Sequence, residues 1–94
     1  MTALELKSSS ELPKNISPLL QAMWHDSKGN WEASHNLAQD IHTREGSWVH
    51  AYLHRKEGDT SNAMYWYRQA GKTMPSVSLE KEWEEITNAL LASK

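Results

Sequence analysis

Apolar residues recur along this chain at helical spacing, and no alternating strand pattern of useful length interrupts them. The most regular stretch is near the C-terminus, where Leu79, Trp83, Ile86 and Leu90 form one stripe. Glu80, Lys81, Glu84, Glu85 and Asn88 lie opposite, the pattern of a solvated outer helix closing an array. Ser78 is placed to cap it, with Glu80 and Glu82 in the first turn, where the helix dipole favours acids. Upstream, Ser17 caps and Pro18 opens a helix carrying Leu19, Leu20, Met23, Trp24 and Ser27, which Gly29 stops. A second helix begins after Asn30, with Trp31, Ser34, Ala38 and Ile41 on one face and His35 and Leu37 beside it. Gly46 ends the connection that follows. A third helix runs from near Ser47 to Glu57, where Gly58 supplies a left-handed stop. Asp59 or Thr60 then caps a fourth, which presents Ala63, Tyr67, Ala70 and Met74 and is ended by Gly71 and Pro75. Residues 1–15 are weakly patterned, with Leu4, Leu6 and Leu12 set among polar residues. They read as a flexible arm or as a segment that docks its leucines. The expectation is an all-α fold of about five helices, with residues 16–94 as one domain.

The pattern repeats. A shift of 29 residues carries Ala22 onto Ala51, His25 onto His54, Gly29 onto Gly58, Asn30 onto Asp59 and Ser34 onto Ala63. Each copy is a helix, a Gly-polar turn and a second helix. The second copy resembles a tetratricopeptide repeat: Ala51 and Gly58, then Ala63, Tyr67, Ala70 and Pro75, stand where that family places its small, turn, aromatic and proline positions. It departs in its first helix, where Ser47, with Trp48 beside it, His50 and His54 replace the family's Trp, Leu and Tyr. The first copy matches more weakly, with Gln21 and His25 at the Leu and Tyr positions. The resemblance spans residues 17–77 and implies two antiparallel helix pairs with a C-terminal capping helix. The stretch HAYLHRKEGD followed by NAMYWYRQAG also resembles small uncharacterised bacterial proteins.

Composition narrows the classes. A chain of 94 residues is one domain and buries only about 60–65% of its unfolded surface, so a partner or a second copy would help it. It has no cysteine, which excludes disulfides and thiolate metal sites and suits a cytoplasmic setting. A net charge of -2 with no basic block argues against nucleic acid as a partner. No apolar run approaches the roughly 18 residues of a membrane span, and the N-terminus lacks the basic start and apolar core of a signal peptide. Five Trp and three Tyr without Phe bring many polar handles that want partners when buried.

The departures from the repeat pattern are where chemistry is expected. Histidine takes the place of a core residue at His25, His50 and His54. A buried imidazole must satisfy its nitrogens or cost free energy. His50 and His54 are four apart on one helix, the spacing by which helices hold metals. His25 is expected beside them and His35 near by, with Glu57 and Asp59 as carboxylates. Three imidazoles suit a divalent metal such as zinc. The bland alternative is that these rings hydrogen-bond to Trp, Tyr and carboxylate neighbours. Glu57 opposes the dipole at its helix end and calls for a compensating cation or histidine.

The tetratricopeptide resemblance implies a ligand groove between the helix that starts at Pro18 and the one that starts near Ser47. Trp48, Tyr52 and Arg55, facing Leu19, Met23 and Asp26, would line it, an aromatic pair beside an Arg being a seat for a peptide carboxylate. With no nucleophile motif, no catalytic residue and no required cofactor, the favoured expectation is a non-catalytic module that binds a protein or peptide partner, or a second copy. The alternative is a small enzyme or ligand- or metal-binding protein built on the histidines.

Overall fold

The computed structural model describes residues 1–93. Among them are six helices and no strand: α1 (Ala3–Ser8), α2 (Pro18–Ser27), α3 (Trp31–Ala38), α4 (Arg44–Lys56), α5 (Thr60–Gln69) and α6 (Leu79–Ala92). None is long and apolar enough to cross a membrane. Each starts where a side-chain oxygen meets an otherwise unpaired helical N–H. Thr2, Ser17, Asn30, Thr43, Asp59 and Ser78 all accept such a bond.

The internal repeat is visible atom by atom at the two turns. Gly29 and Gly58 both take positive φ, +80° and +87°, which suits a residue without Cβ. The next N–H in each copy closes the helix with the same bond: Asn30 N to His25 O and Asp59 N to His54 O, both 2.9 Å. Ala22, Ala51 and Ala63 are fully buried, so the backbones of α2, α4 and α5 come close to their neighbours. The hairpins α2–α3 and α4–α5 sit side by side with α3 against α4, and α6 lies across α2 and α4. The main core gathers Leu19, Leu20, Met23, Val49, Tyr52 and Leu53 with Trp83, Ile86 and Leu90 of α6.

The N-terminal segment supplies a helix beyond the five expected. Thr2 and Glu5 form a capping box, and Ala3 and Leu6 enter the core while Leu4 and Leu12 stay exposed. Residues 1–15 therefore dock through one leucine of three. Gly46 does not end the connection before α4. Thr43 is the cap, and Gly46 lies in the first helical turn, where the chain doubles back onto Ile41. Met74 lies beyond the end of α5, in the connection to α6, and is exposed.

A Cβ on Gly46 would stand 2.0 Å from the Ile41 carbonyl oxygen, which is backbone and cannot step aside. Gly46→Ala therefore destabilises the protein by about 1–3 kcal/mol or more, although Gly to Ala inside a helix ordinarily gains about 1 kcal/mol. Urea unfolding checks the sign, and a raised midpoint would refute the close approach.

Candidate functional site

The face expected to be a groove is largely covered, with small clefts left beside Trp48 and beside Tyr52 and Asp26. α6 covers it, and the residues expected to line it are spent on holding α6 and each other. Glu82 is 1% exposed and accepts from three side chains: Arg55 Nη1 at 2.8 Å, Tyr67 Oη at 2.6 Å and Trp48 Nε1 at 3.1 Å. Arg55 also donates through Nη2 to the Val77 carbonyl. Asp26 is buried as well, accepting from Tyr52 Oη at 2.6 Å and Lys56 Nζ at 2.9 Å. Met23 and Tyr52 are buried, and Trp83 donates its indole N–H to the Met23 carbonyl at 3.0 Å. Of the expected peptide seat, Tyr52, Met23 and Asp26 are thus interior, while Trp48 and Arg55 are partly buried and bonded to Glu82. The physical reason is the acidic α6, whose Glu82 pairs with the very cation that would have greeted a partner's carboxylate. Burial first, and then the adjoining carboxylates, hold the Tyr52 and Tyr67 phenols well above their ordinary range. Both remain hydrogen-bond donors at neutral pH.

On the other side of α4 three imidazoles converge. One ring nitrogen each from His35, His50 and His54 lies within 4.8 Å of the other two. His35 Nε2 and His50 Nε2 are 3.0 Å apart, one donating to the other. The ring centroids are 4.7 Å apart for His35–His50, 5.3 Å for His35–His54 and 4.8 Å for His50–His54. Two tryptophans hold the outer faces: Trp31 stacks on His35 at 4.8 Å and Trp66 on His50 at 4.2 Å. Trp31 is itself fixed by its indole N–H to the Leu53 carbonyl at 2.8 Å. His50 and His54 are buried, whereas His35 is partly exposed.

Glu57 finds its compensation here, its Oε1 lying 2.6 Å from His54 Nδ1. That contact engages Nδ1 and leaves Nε2 as the unbonded nitrogen of the His54 ring. Asp59 adjoins the same histidine and carboxylate. Its oxygens are taken by the cap of α5, accepting from the Asn62 amide and backbone, and those bonds hold its carboxyl below the usual range. Among the described residues the only buried side-chain polar atoms without a partner are Ser34 Oγ and Thr87 Oγ1. The unbonded ring nitrogens of His50 and His54 therefore keep some contact with solvent.

Burial, and then the neighbouring His35 and His54 rings, push the His50 imidazole down to about 4. His35 is lowered as well, by burial first and then by His54. Both rings are neutral at pH 7 and present a lone pair.

His25 does not join this group. Its ring is partly exposed and meets the edge of Trp24 at 5.1 Å. His25 and His54 occupy equivalent places in the repeat. Equivalent side chains of stacked repeats are displaced in parallel and do not converge. His35 takes the third place because α3 packs directly on α4.

The chain matches no known family model, no curated protein and no solved structure.

Removing the buried carboxylate tests how the groove is covered. Glu82→Ala leaves Arg55, Tyr67 and Trp48 without their shared acceptor and costs about 3 kcal/mol, the lower end for breaking a buried pair because Arg55 keeps some solvent contact. Glu82→Gln, which keeps an acceptor oxygen, loses less. A loss within about 0.5 kcal/mol for Glu82→Ala, as for an ordinary surface acid, would mean that α6 does not depend on this contact.

Proposed function

We propose that this protein binds one divalent ion of the late first transition row through His35, His50 and His54. The observation that carries the reading is the approach of three ring nitrogens, from two different helices, to within 4.8 Å of one another. Imidazole ligands sit about 2.0–2.1 Å from zinc, so nitrogens in a tetrahedral site lie roughly 3.3 Å apart. Shifts of about 1 Å in three side chains bring these atoms to that spacing. Two of the ligands come preset on α4 as an i, i+4 pair. Glu57 on His54 Nδ1 is placed as the outer-shell carboxylate that fixes the tautomer and ring orientation of a ligating histidine. Nitrogen donors without a carboxylate among them select Zn²⁺, Ni²⁺ or Cu²⁺ over Mg²⁺ and Ca²⁺.

The reading is of a binding site, without an assigned reaction. Clefts away from the histidines open around residues 14–20 and 90–93, beside α1, next to Trp48 and beside Tyr52 and Asp26. The cysteine-free composition suits a cytoplasmic setting.

Zn²⁺ titrated into protein made without an affinity tag is expected to bind at one equivalent by calorimetry and to change the emission of Trp31 and Trp66. Mg²⁺ does neither. Glu57→Gln weakens the affinity about 10–100-fold, and His50→Ala with His54→Ala abolishes it. Absence of stoichiometric binding of Zn²⁺, Ni²⁺ and Cu²⁺, or binding undiminished in the double variant, would overturn the assignment.

A second reading, association with a protein partner, is favoured by one observation. A cleft of about 930 Å³ is lined largely by apolar side chains, among them Ile16, Leu19, Leu20, Ile41, Leu90 and Leu91. A second copy is the partner put first, because a chain of this size leaves much apolar surface in water. Light scattering across concentrations is then expected to reveal a dimer that Leu91→Glu disperses. A monomer at every concentration would remove this reading.

A further inference from the structure

The three ligands are unequally supported. α4 buries most of its length, from Gly46 and Ser47 through Val49 to His54. α3 has eight residues and buries only Ser34 and Ala38. One of those two is a liability, since the Ser34 hydroxyl is sealed away with no hydrogen-bond partner. α3 then runs into Gln39 and Asp40, both exposed. Two polar contacts carry it to α4: the Trp31 indole N–H to the Leu53 carbonyl, and the His35–His50 bond. Trp31 and Leu37 pack half-buried on the main core and α3 lies closely along α2, so its attachment to α4 is the lighter of the two; with a buried unpaired hydroxyl beside it, that attachment is the one that opens locally at low free-energy cost.

We infer that the ion bound by this triad is a latch for α3, closing it onto α4 and so joining the two helical hairpins. This rests on the metal reading above. His50 and His54 are held by α4 whether or not α3 is docked. His35 is the ligand that only the docked helix delivers. An ion that needs all three nitrogens binds the closed state and not the open one, so its binding free energy is added to the docking of α3. The segment Trp31–Ala38 is stabilised beyond what the rest of the chain gains. Trp31 reports the change, because its ring stacks on His35 and its N–H reaches α4 only when α3 is closed.

Hydrogen exchange on the full-length protein, with and without saturating Zn²⁺, tests the latch. Amides of α3 are expected to exchange about tenfold more slowly or better with Zn²⁺, and those of α2 and α6 to change much less. His35→Ala leaves α4 and its two histidines in place. In that variant Zn²⁺ no longer protects α3, whatever affinity the remaining pair keeps. Stoichiometric Zn²⁺ binding with α3 exchange unchanged, or with equal protection of every helix, overturns the latch and leaves the metal site standing. Absence of Zn²⁺ binding overturns both.

Discussion

The buried carboxylate of Glu82 is the contact on which the arrangement of helices turns. An ionised group out of water is tolerated only when its oxygens are met by good donors. Here α4 supplies Arg55 and Trp48, and α5 supplies Tyr67. That fixes both the rotation of α6 and its position along the hairpin, while the adjacent Trp83 reaches the other way to the Met23 carbonyl of α2. Asp26 repeats the device on a smaller scale with Tyr52 and Lys56. Both acids draw donors from α4. The inner face of that helix is therefore consumed in making one body out of two hairpins and a closing helix. Arg55 is thereby committed to Glu82 and the Val77 carbonyl, and the three converging histidines lie on the opposite side of the same helix.

Much of this was legible in the residues. Caps and left-handed glycines mark helix ends because they answer a local need of the backbone, and the pairs Gly29–Asn30 and Gly58–Asp59 answer it twice. The α6 stripe was legible for the same reason, being periodic within one element. Glu82 was not, because an acid in the first turn of a helix is explained by the dipole alone. Its place three residues after Leu79 and four before Ile86, flanking the apolar stripe, was the signal that it turns inward. α1 also had a signal, the Thr2-x-x-Glu5 capping box, masked by the run of serines that follows. Gly46 could not be read locally, since the oxygen it makes room for belongs to Ile41 in a turn whose path only the tertiary packing sets.

The histidines divide along the same line. His50 and His54 sit one turn apart on one helix, so their shared face follows from sequence alone. Choosing between His25 and His35 as the third member required knowing which surface of α4 they face. The repeat offset made His25 the natural partner, but it identifies residues with the same role in successive units, and such residues point the same way. Convergence in stacked hairpins comes from the second helix of one unit meeting the first helix of the next. α3 meeting α4 is that junction, and His35 is the histidine α3 brings to it.

Three imidazoles in mutual contact are poorly satisfied by one another. Together they carry six ring nitrogens. Among the described residues two contacts involve them: His35 Nε2 with His50 Nε2, and His54 Nδ1 with Glu57. In the first, one nitrogen must donate and the other accept, so one proton serves both rings and the outer nitrogen of each is left to water. Protonating either ring would improve its hydrogen bonding but would place a cation against two more rings in a low-dielectric setting. The lowered value of His50 expresses that cost. A divalent cation resolves the conflict differently. It takes the place of the shared proton, which would move to the outer nitrogen of the same ring; each neutral ring then gives the ion one lone pair and keeps one N–H pointing outward, the one on His54 already met by Glu57. Trp31 and Trp66, stacked on the outer faces of His35 and His50, restrict how far those rings can turn away. Without an ion the outer ring nitrogens are left to solvent; the proposed ion would draw on the approach of three rings, on Glu57 at His54 and on the tryptophans that hold His35 and His50 in place.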